Sequence, residues 1–350
     1  MIKTEVVEVR SDNIDMDIVR KAGTLLREGK LVVFPTETVY GLGANGLDEQ
    51  AVKRIFEAKG RPSDNPLILH ISSTGQMDRL VTRVPERAVK LMERFWPGPM
   101  TLVLEKSPLV PGAVTAGLDT VAIRMPDHPV AKAVIEHAGV PVAAPSANLS
   151  GKPSPTSARH VVEDLMGRVD MIIDSGDVSI GVESTVVDLT SERVTVLRPG
   201  GVTLEQLREV LGEVDLDPGL INGENSAIPK APGMKYTHYS PEADVIIVDG
   251  RLEDVVDRIK SMAGSLEDSG KRVGILATDQ TKDLYARGLV ISAGDRNAPG
   301  TIAARLFGLL REFDKKGVDV ILAEAIEERD VGLAVMNRLL KSAGYNVIRV

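Results

Sequence analysis

Met171-Ile172-Ile173-Asp174, Ser184-Thr185-Val186-Val187-Asp188-Leu189 and Val194-Thr195-Val196-Leu197 are three short apolar runs rich in Ile, Val and Thr, with little helical pattern between them. Branched residues in runs of four to six favour strands. Strands with no crossover helix between them pair antiparallel. Elsewhere along the chain, strand-like and helix-like patterns alternate, which is the rhythm of a parallel sheet with helices on its faces. Together the two signatures predict an α/β protein built on an open, twisted mixed sheet, with antiparallel pairing at one side.

Upstream of these runs the elements are well punctuated. Ile18, Ala22, Leu25 and Leu26 give Asp15 to Glu28 a helical face, and Gly29 supplies the left-handed stop. Leu31 to Phe34 reads as a buried strand. Asp48 caps a helix running through Val52, Ile55 and Phe56 to Gly60. Pro66 to Ile71 is a strand, and Pro85 to Phe95 a helix with Pro in its first turn. Met100 to Glu105 and Thr120 to Met125 are strands joined through a Pro/Gly turn region. A helix over His128 to His137, a strand over Val140 to Ala144 and a helix over Ser157 to Met166 follow.

Downstream, a helix over Leu204 to Leu211 is the last before periodicity fails. Gly212 to Pro241 is rich in Gly, Pro and Asn, as linkers and functional loops are. It ends in Pro232-Gly233-Met234-Lys235-Tyr236-Thr237-His238-Tyr239-Ser240-Pro241, a composition no plain linker needs. Alternation then restarts, with strands at Val245 to Val248, Val273 to Ala277, Leu289 to Ser292 and Val318 to Leu322. Helices fall at Leu252 to Met262, Thr301 to Phe313 and Val331 to Ser342. The expected organisation is a first domain over 1–211, a linker over 212–241, and a second, smaller α/β domain over 242–350.

Composition narrows the chemistry. The 350 residues carry 42 Lys plus Arg against 50 Asp plus Glu, a net charge of −8, which disfavours non-specific binding along nucleic-acid backbones. Aromatics are only 3 %, too few for a stacking platform. With no cysteine, thiolate catalysis and Cys-ligated metal centres are excluded. Without an apolar run long enough to span a bilayer or an apolar N-terminal leader, a cytoplasmic protein with no membrane partner is expected.

Several motifs carry chemistry. Gly41-Leu42-Gly43-Ala44-Asn45-Gly46 matches the dinucleotide pattern G-x-G-x-x-G, but Pro35 to Tyr40 separate it from the apolar strand and Asp64 lies in a polar loop. The spacing favours a tight glycine loop instead. No Gly-Lys pair is followed by Ser or Thr, so there is no P-loop. Lys59-Gly60-Arg61-Pro62-Ser63-Asp64-Asn65-Pro66 places two cations two positions apart in a constrained loop, a credible clamp for a phosphate chain. Ala143-Ala144-Pro145-Ser146-Ala147-Asn148-Leu149-Ser150-Gly151 follows an apolar strand at its C-terminal end, where open α/β sheets bind ligands. Arg124 ends a strand in an apolar context, where a lone cation needs a partner. Glu183-Ser184-Thr185 opens a strand, and Arg198-Pro199-Gly200 closes the next. The five histidines lack zinc spacing, and no G-x-S-x-G elbow is present.

Taken in order, Pro35-Thr36-Glu37-Thr38-Val39-Tyr40-Gly41-Leu42, Lys59-x-Arg61, Ser146-x-Asn148 and Glu183-Ser184-Thr185-Val186-Val187-Asp188 resemble the YrdC/Sua5 family. The run Pro232 to Pro241 resembles the linker of its two-domain Sua5 branch. The resemblance implies a YrdC-like open sheet with a concave, positively charged face, followed by a Rossmann-like domain. It also implies condensation of L-threonine, bicarbonate and ATP, with Mg2+ on the phosphates, into threonylcarbamoyl-AMP and pyrophosphate. The product would pass to downstream threonylcarbamoyl-transferase machinery that modifies tRNA, and weak RNA binding would accompany this. By resemblance Thr38, His70, Arg124, Ala144 and Ser184, with Thr36 beside them, fall to threonine and bicarbonate. Lys59, Arg61, Asn65, Thr120, Ser146, Asn148, Ser154 and Arg198 fall to ATP, Lys59 and Arg61 being the catalytic cations. Tyr236 would be a lid element over the nucleotide.

Two other readings compete on the residues alone. A nucleotide- or double-stranded-RNA-binding module would use the same cations without turnover and show salt-sensitive binding. A nicotinamide-dependent oxidoreductase would rest on the glycine triplet alone.

Overall fold

A computed structural model describes residues 2–222 and 239–350. It divides into two compact units, Met1–Ser150 with Ser154–Lys235, and Gly151–Pro153 with Tyr236–Val350.

Eleven strands form the sheet of the first unit. They are β1 (Glu5–Glu8), β2 (Val32–Phe34), β3 (Gly41–Asn45), β4 (Ile68–His70), β5 (Met100–Glu105), β6 (Thr120–Arg124), β7 (Val142–Ala143), β8 (Met171–Asp174), β9 (Thr185–Asp188), β10 (Thr195–Arg198) and β11 (Asp215–Leu216). Their order is β1-β8-β2-β3-β7-β4-β6-β5-β9-β10-β11. Parallel pairs such as β4 with β6 and β5 with β9 mix with antiparallel ones such as β5 with β6 and β9 with β10, so the sheet is mixed as expected.

The detail departs from expectation at three places. Of the three runs that announced antiparallel pairing, only β9 and β10 pair that way. β8 lies near the opposite edge, parallel to β1 and β2, because the helix Ala158–Leu165 before it provides a crossover. The glycine triplet is not a tight loop. Gly41 and Gly43 lie in strand β3, antiparallel to β2 and β7, and Gly46 stands in the turn that follows it. A Cβ on Gly43 would lie 2.7 Å from the Phe34 ring, and one on Gly46 would lie 2.5 Å from Leu69, so these glycines admit neighbouring side chains rather than a phosphate. Pro85 is the N-cap of the helix Glu86–Phe95 and stands just outside its first turn.

Elsewhere local chemistry and structure agree. Asp15 and Asp48 cap the helices Met16–Arg27 and Glu49–Lys59 by accepting two backbone N–H groups each, and Gly60 closes the second at φ 62°. Strand alternation sorts the core. Leu69, Ile123, Leu102 and Val187 point to the large helix-covered core. Ile68, Ala122, Val103 and Val186 form a separate apolar floor with Leu197 on the other face. That second face carries the site.

The second unit is a five-stranded, wholly parallel sheet of β12 (Asp244–Asp249), β13 (Val273–Ala277), β14 (Leu289–Ser292), β15 (Val320–Glu324) and β16 (Val347–Arg349), ordered β14-β13-β15-β12-β16. The helices Leu252–Asp268, Pro299–Lys316 and Val331–Ser342 connect it. At the end of β15 the buried carboxylate of Glu324 accepts hydrogen bonds from Thr278, Thr281 and Tyr285 and pairs with Arg296, so a single charge ties two strand ends and a loop. Among the described residues, no helix is long and apolar enough to cross a membrane.

Candidate functional site

Register creates the site. Arg124, the last residue of β6, stands opposite His70 of β4 on one side and Thr101 of β5 on the other. Thr101 in turn faces Val186 of β9. In-register neighbours share a face, so His70, Arg124 and Thr101 form a row above the apolar floor. The row continues through hydroxyls. Thr101 Oγ1 lies 2.8 Å from Ser184 Oγ. Arg198 Nη2 donates to the carbonyl of Ser184 at 2.9 Å and to its Oγ at 3.1 Å. A register shift between Val196 and Arg198 sets Arg198 opposite Val186. Gly200 is required beside it, since a Cβ there would lie 2.3 Å from the Glu183 carbonyl oxygen.

The turn between β2 and β3 overhangs this row. Thr36 Oγ1 lies 2.9 Å from Thr38 Oγ1 and donates to the Val39 carbonyl at 2.7 Å, and both threonines are buried. Glu37, between them, is the partner that Arg124 needed. Its Oε1 lies 2.7 Å from Arg124 Nη2, with both side chains under 10 % exposed. The contact is an ion pair without hydrogen-bond alignment, and neither Glu37 oxygen nor that guanidinium nitrogen has a hydrogen-bond partner among the described residues. Burial, then the adjacent Arg124 charge, holds His70 down to about 3, so it is a neutral imidazole at any physiological pH. His128 is also pushed down by burial, against the pull of Glu37, and its Nδ1 has no hydrogen-bond partner among the described residues.

The second cluster is built from loops. Lys59, last residue of its helix, is buried. Its Nζ donates to the carbonyls of Ser146 at 2.5 Å and Asn148 at 2.6 Å. Ser146 Oγ donates to Asn148 Oδ1 at 2.6 Å, and Ser150 N donates to the Lys59 carbonyl at 2.9 Å. Thus Lys59 and the Ser146-x-Asn148 turn are one hydrogen-bonded body. Arg61 donates to the Asn65 carbonyl at 3.3 Å and lies over the Phe56 ring. The Asn65 side chain is fully buried, and both its polar atoms lack partners among the described residues. Ser154 Oγ donates to Glu183 Oε1 at 2.7 Å in the interior, tying this cluster to the segment that carries Ser184.

Of the residues expected from sequence, Thr36, Thr38, His70, Arg124, Ser184 and Arg198 gather along the row. Lys59, Arg61, Asn65, Ser146, Asn148 and Ser154 gather in the loops. Ala144 is buried and donates its N–H to Ile68, joining the two groups through β4. Thr120 stands apart from Arg124 at the far end of β6, half-exposed, level with the loop where Asn65 and Pro66 enter β4. Tyr236 lies outside the described residues. The sequence reading missed Glu37, Thr101 and His128. Arg124 was the available signal for Glu37, since a buried cation demands an anion. Nothing in the pattern marks Thr101, which reads as one more strand residue. Among the described residues, no three His, Asp or Glu side chains converge as metal ligands.

Residues 24–200 match the profile of the Sua5, YciO and YrdC family, described as "Telomere recombination", and residues 202–344 match that of the threonylcarbamoyl-AMP synthase C-terminal domain. The chain is 53 % identical to the threonylcarbamoyl-AMP synthase of Pyrococcus abyssi, over 99 % of this chain and all of the relative. It is 51 % identical to that of Bacillus subtilis, over 95 % of this chain and 94 % of the relative. The crystal structure of P. abyssi Sua5 complexed with L-threonine matches at a TM-score of 0.94, with 53 % identity and 99 % of each chain covered. The chain belongs to the YrdC/Sua5 family, in its two-domain threonylcarbamoyl-AMP synthase branch.

Proposed function

We propose that this threonylcarbamoyl-AMP synthase divides one buried polar face between its substrates, with threonine and bicarbonate along the sheet row and ATP on the loop cluster. The single observation that carries the division is the pair of polar clusters. One holds the Arg124–Glu37 ion pair beside the hydrogen-bonded Thr101 and Ser184, the other is hydrogen-bonded around Lys59 and Asn148, and the Ser154–Glu183 hydrogen bond links them.

Threonine and bicarbonate belong beside Thr36, Thr38, His70, Arg124, Ala144 and Ser184. Their condensation gives a carbamate, and a carbamate oxygen then attacks the α-phosphorus in line with the departing pyrophosphate. Such a transfer requires positioning and charge neutralisation rather than covalent help from the protein. Arg61, Lys59 and Arg198 supply the positive charge. Asn65, Thr120, Ser146, Asn148 and Ser154 supply short polar contacts to the nucleotide. Neutral His70 offers a hydrogen bond without adding a charge that bicarbonate would have to balance.

Magnesium enters as part of the MgATP substrate. The two buried carboxylates of the site, Glu37 and Glu183, already face Arg124 and Ser154, so a resident ion has no ligand set among the described residues. The product feeds tRNA modification, and the enzyme that accepts it from this site is a threonylcarbamoyl transferase. Pyrophosphate release from ATP, with L-threonine and bicarbonate omitted in turn, tests this reading. Release that needs both supports it, and release without threonine overturns it.

A further inference from the structure

We propose that Glu37 and Arg124 form a receptor for an amino-acid zwitterion, in which Glu37 binds the α-ammonium and takes a proton from it. This deepens the reading above and rests on it. Three observations meet here. Glu37 is buried, yet neither of its carboxylate oxygens has a hydrogen-bond donor among the described residues. A buried carboxylate held by one unaligned ion pair keeps its lone pairs for a donor, and an ammonium brings three N–H groups. Arg124 lies 2.7 Å away with Nη2 likewise lacking an aligned acceptor, so the pair presents a negative and a positive group at a spacing that an α-carbon substituted with ammonium and carboxylate can bridge. The turn holding Glu37 is fixed on both sides. The hydroxyls of Thr36 and Thr38 bond each other, and the Glu37 carbonyl accepts from Ile180 N at 2.9 Å.

The chemistry needs such a group. Threonine arrives with a protonated nitrogen, which has no lone pair to attack bicarbonate. Glu37 accepts one ammonium proton as nitrogen attacks the bicarbonate carbon. The C–N bond forms, the C–OH bond breaks, and the departing hydroxide takes the proton from Glu37 and leaves as water. The second nitrogen proton goes to solvent, so that RNH3+ + HCO3− gives RNHCO2− + H2O + H+. The charged and titratable groups facing Glu37 are Arg124 from β6 and His128 from the segment after it. His70, buried beside Arg124, remains neutral.

Glu37→Gln keeps the shape and removes the charge. Steady-state pyrophosphate release by the full-length protein is measured from pH 6.5 to 9.5, with threonine and ATP varied separately. The expected result is a threonine KM raised about tenfold or more, in line with loss of a charged hydrogen bond, with an ATP KM within about twofold of wild type. The threonine kcat/KM of the variant should climb with pH toward the pKa of the amine, where substrate arrives already deprotonated. Glu37→Asp keeps the charge and restores the flatter wild-type profile at reduced rate, and it carries the test if the Gln variant does not fold. A wild-type threonine KM and pH profile in Glu37→Gln overturns the proposal. So do equal rises in the two KM values, which mark a site merely disordered around Arg124. Wild-type pyrophosphate release that ignores threonine overturns the underlying reading instead, and with it this proposal.

Discussion

The ammonium of Lys59 lies 2.6 Å from the carbonyl oxygen of Asn148 and 2.5 Å from that of Ser146. A residue expected only to touch phosphate therefore also holds the loop that presents Ser146 and Asn148. Lys59→Met removes the charge and leaves buried carbonyls without their donor, at a cost of about 1–3 kcal/mol. The expected outcome is a synthase rate at least about a hundredfold lower, with a urea midpoint shifted downward. A variant that loses the rate but unfolds at the wild-type midpoint would show that Lys59 serves the nucleotide alone.

Ser154 joins the two halves of the site through Glu183, at 2.7 Å in the interior. Ser154→Ala leaves a buried carboxylate short of one donor and removes a contact proposed for the nucleotide. We expect the ATP KM to rise about tenfold, as for loss of one hydrogen bond to a charged group, while the threonine KM stays near wild type. A rise confined to threonine would exchange the two substrate assignments.

His70 predicts an acid limb in stability. Burial and Arg124 lower it from 6.5 to about 3 in the folded protein, so between those values the unfolded chain binds a proton that the native state refuses. Stability then rises with pH, fully present above 6.5 and lost as pH falls toward 3, with a slope of about 1.4 kcal/mol per pH unit from this group. His70→Asn should flatten the limb measured by urea denaturation between pH 6 and 4. An unchanged slope would mean that other groups dominate acid unfolding.

The sequence disclosed the elements better than their neighbours. Caps such as Asp15 and Asp48 and stops such as Gly29 and Gly60 are local chemistry, legible from adjacent residues. Pairing is not local. That β8 belongs beside β1 while β9 belongs beside β5 depends on where a crossover helix delivers the chain, and the short runs themselves are alike. The two-residue β11 and the closing β16 carry too few residues to show a period. The site divides in the same way. Lys59, Arg61, Ser146 and Asn148 stand in conspicuous loops. Glu37 became visible only when register brought Arg124 under it, and Thr101 only when it met Ser184.

Gly41, Gly43 and Gly46 are the sharpest case, because a familiar pattern pointed to the wrong physics. In a phosphate loop the first glycine makes the turn and the second lets the backbone approach the ligand. Here both lie in β3, and they differ. A Cβ on Gly43 would meet the Phe34 ring at 2.7 Å, Val142 at 2.9 Å and the Val32 carbonyl at 3.1 Å, whereas one on Gly41 would meet nothing closer than 3.4 Å. Phe34 also stands edge-on to His70 with ring centroids 6.2 Å apart, so displacing it disturbs the row of the site. Gly43→Ala is expected to cost about 1–3 kcal/mol by overpacking and to lower the synthase rate, while Gly41→Ala stays within about 1 kcal/mol of wild type. Urea denaturation of both variants checks the contrast. Equal losses at the two positions would return the triplet to the role of a shared backbone loop.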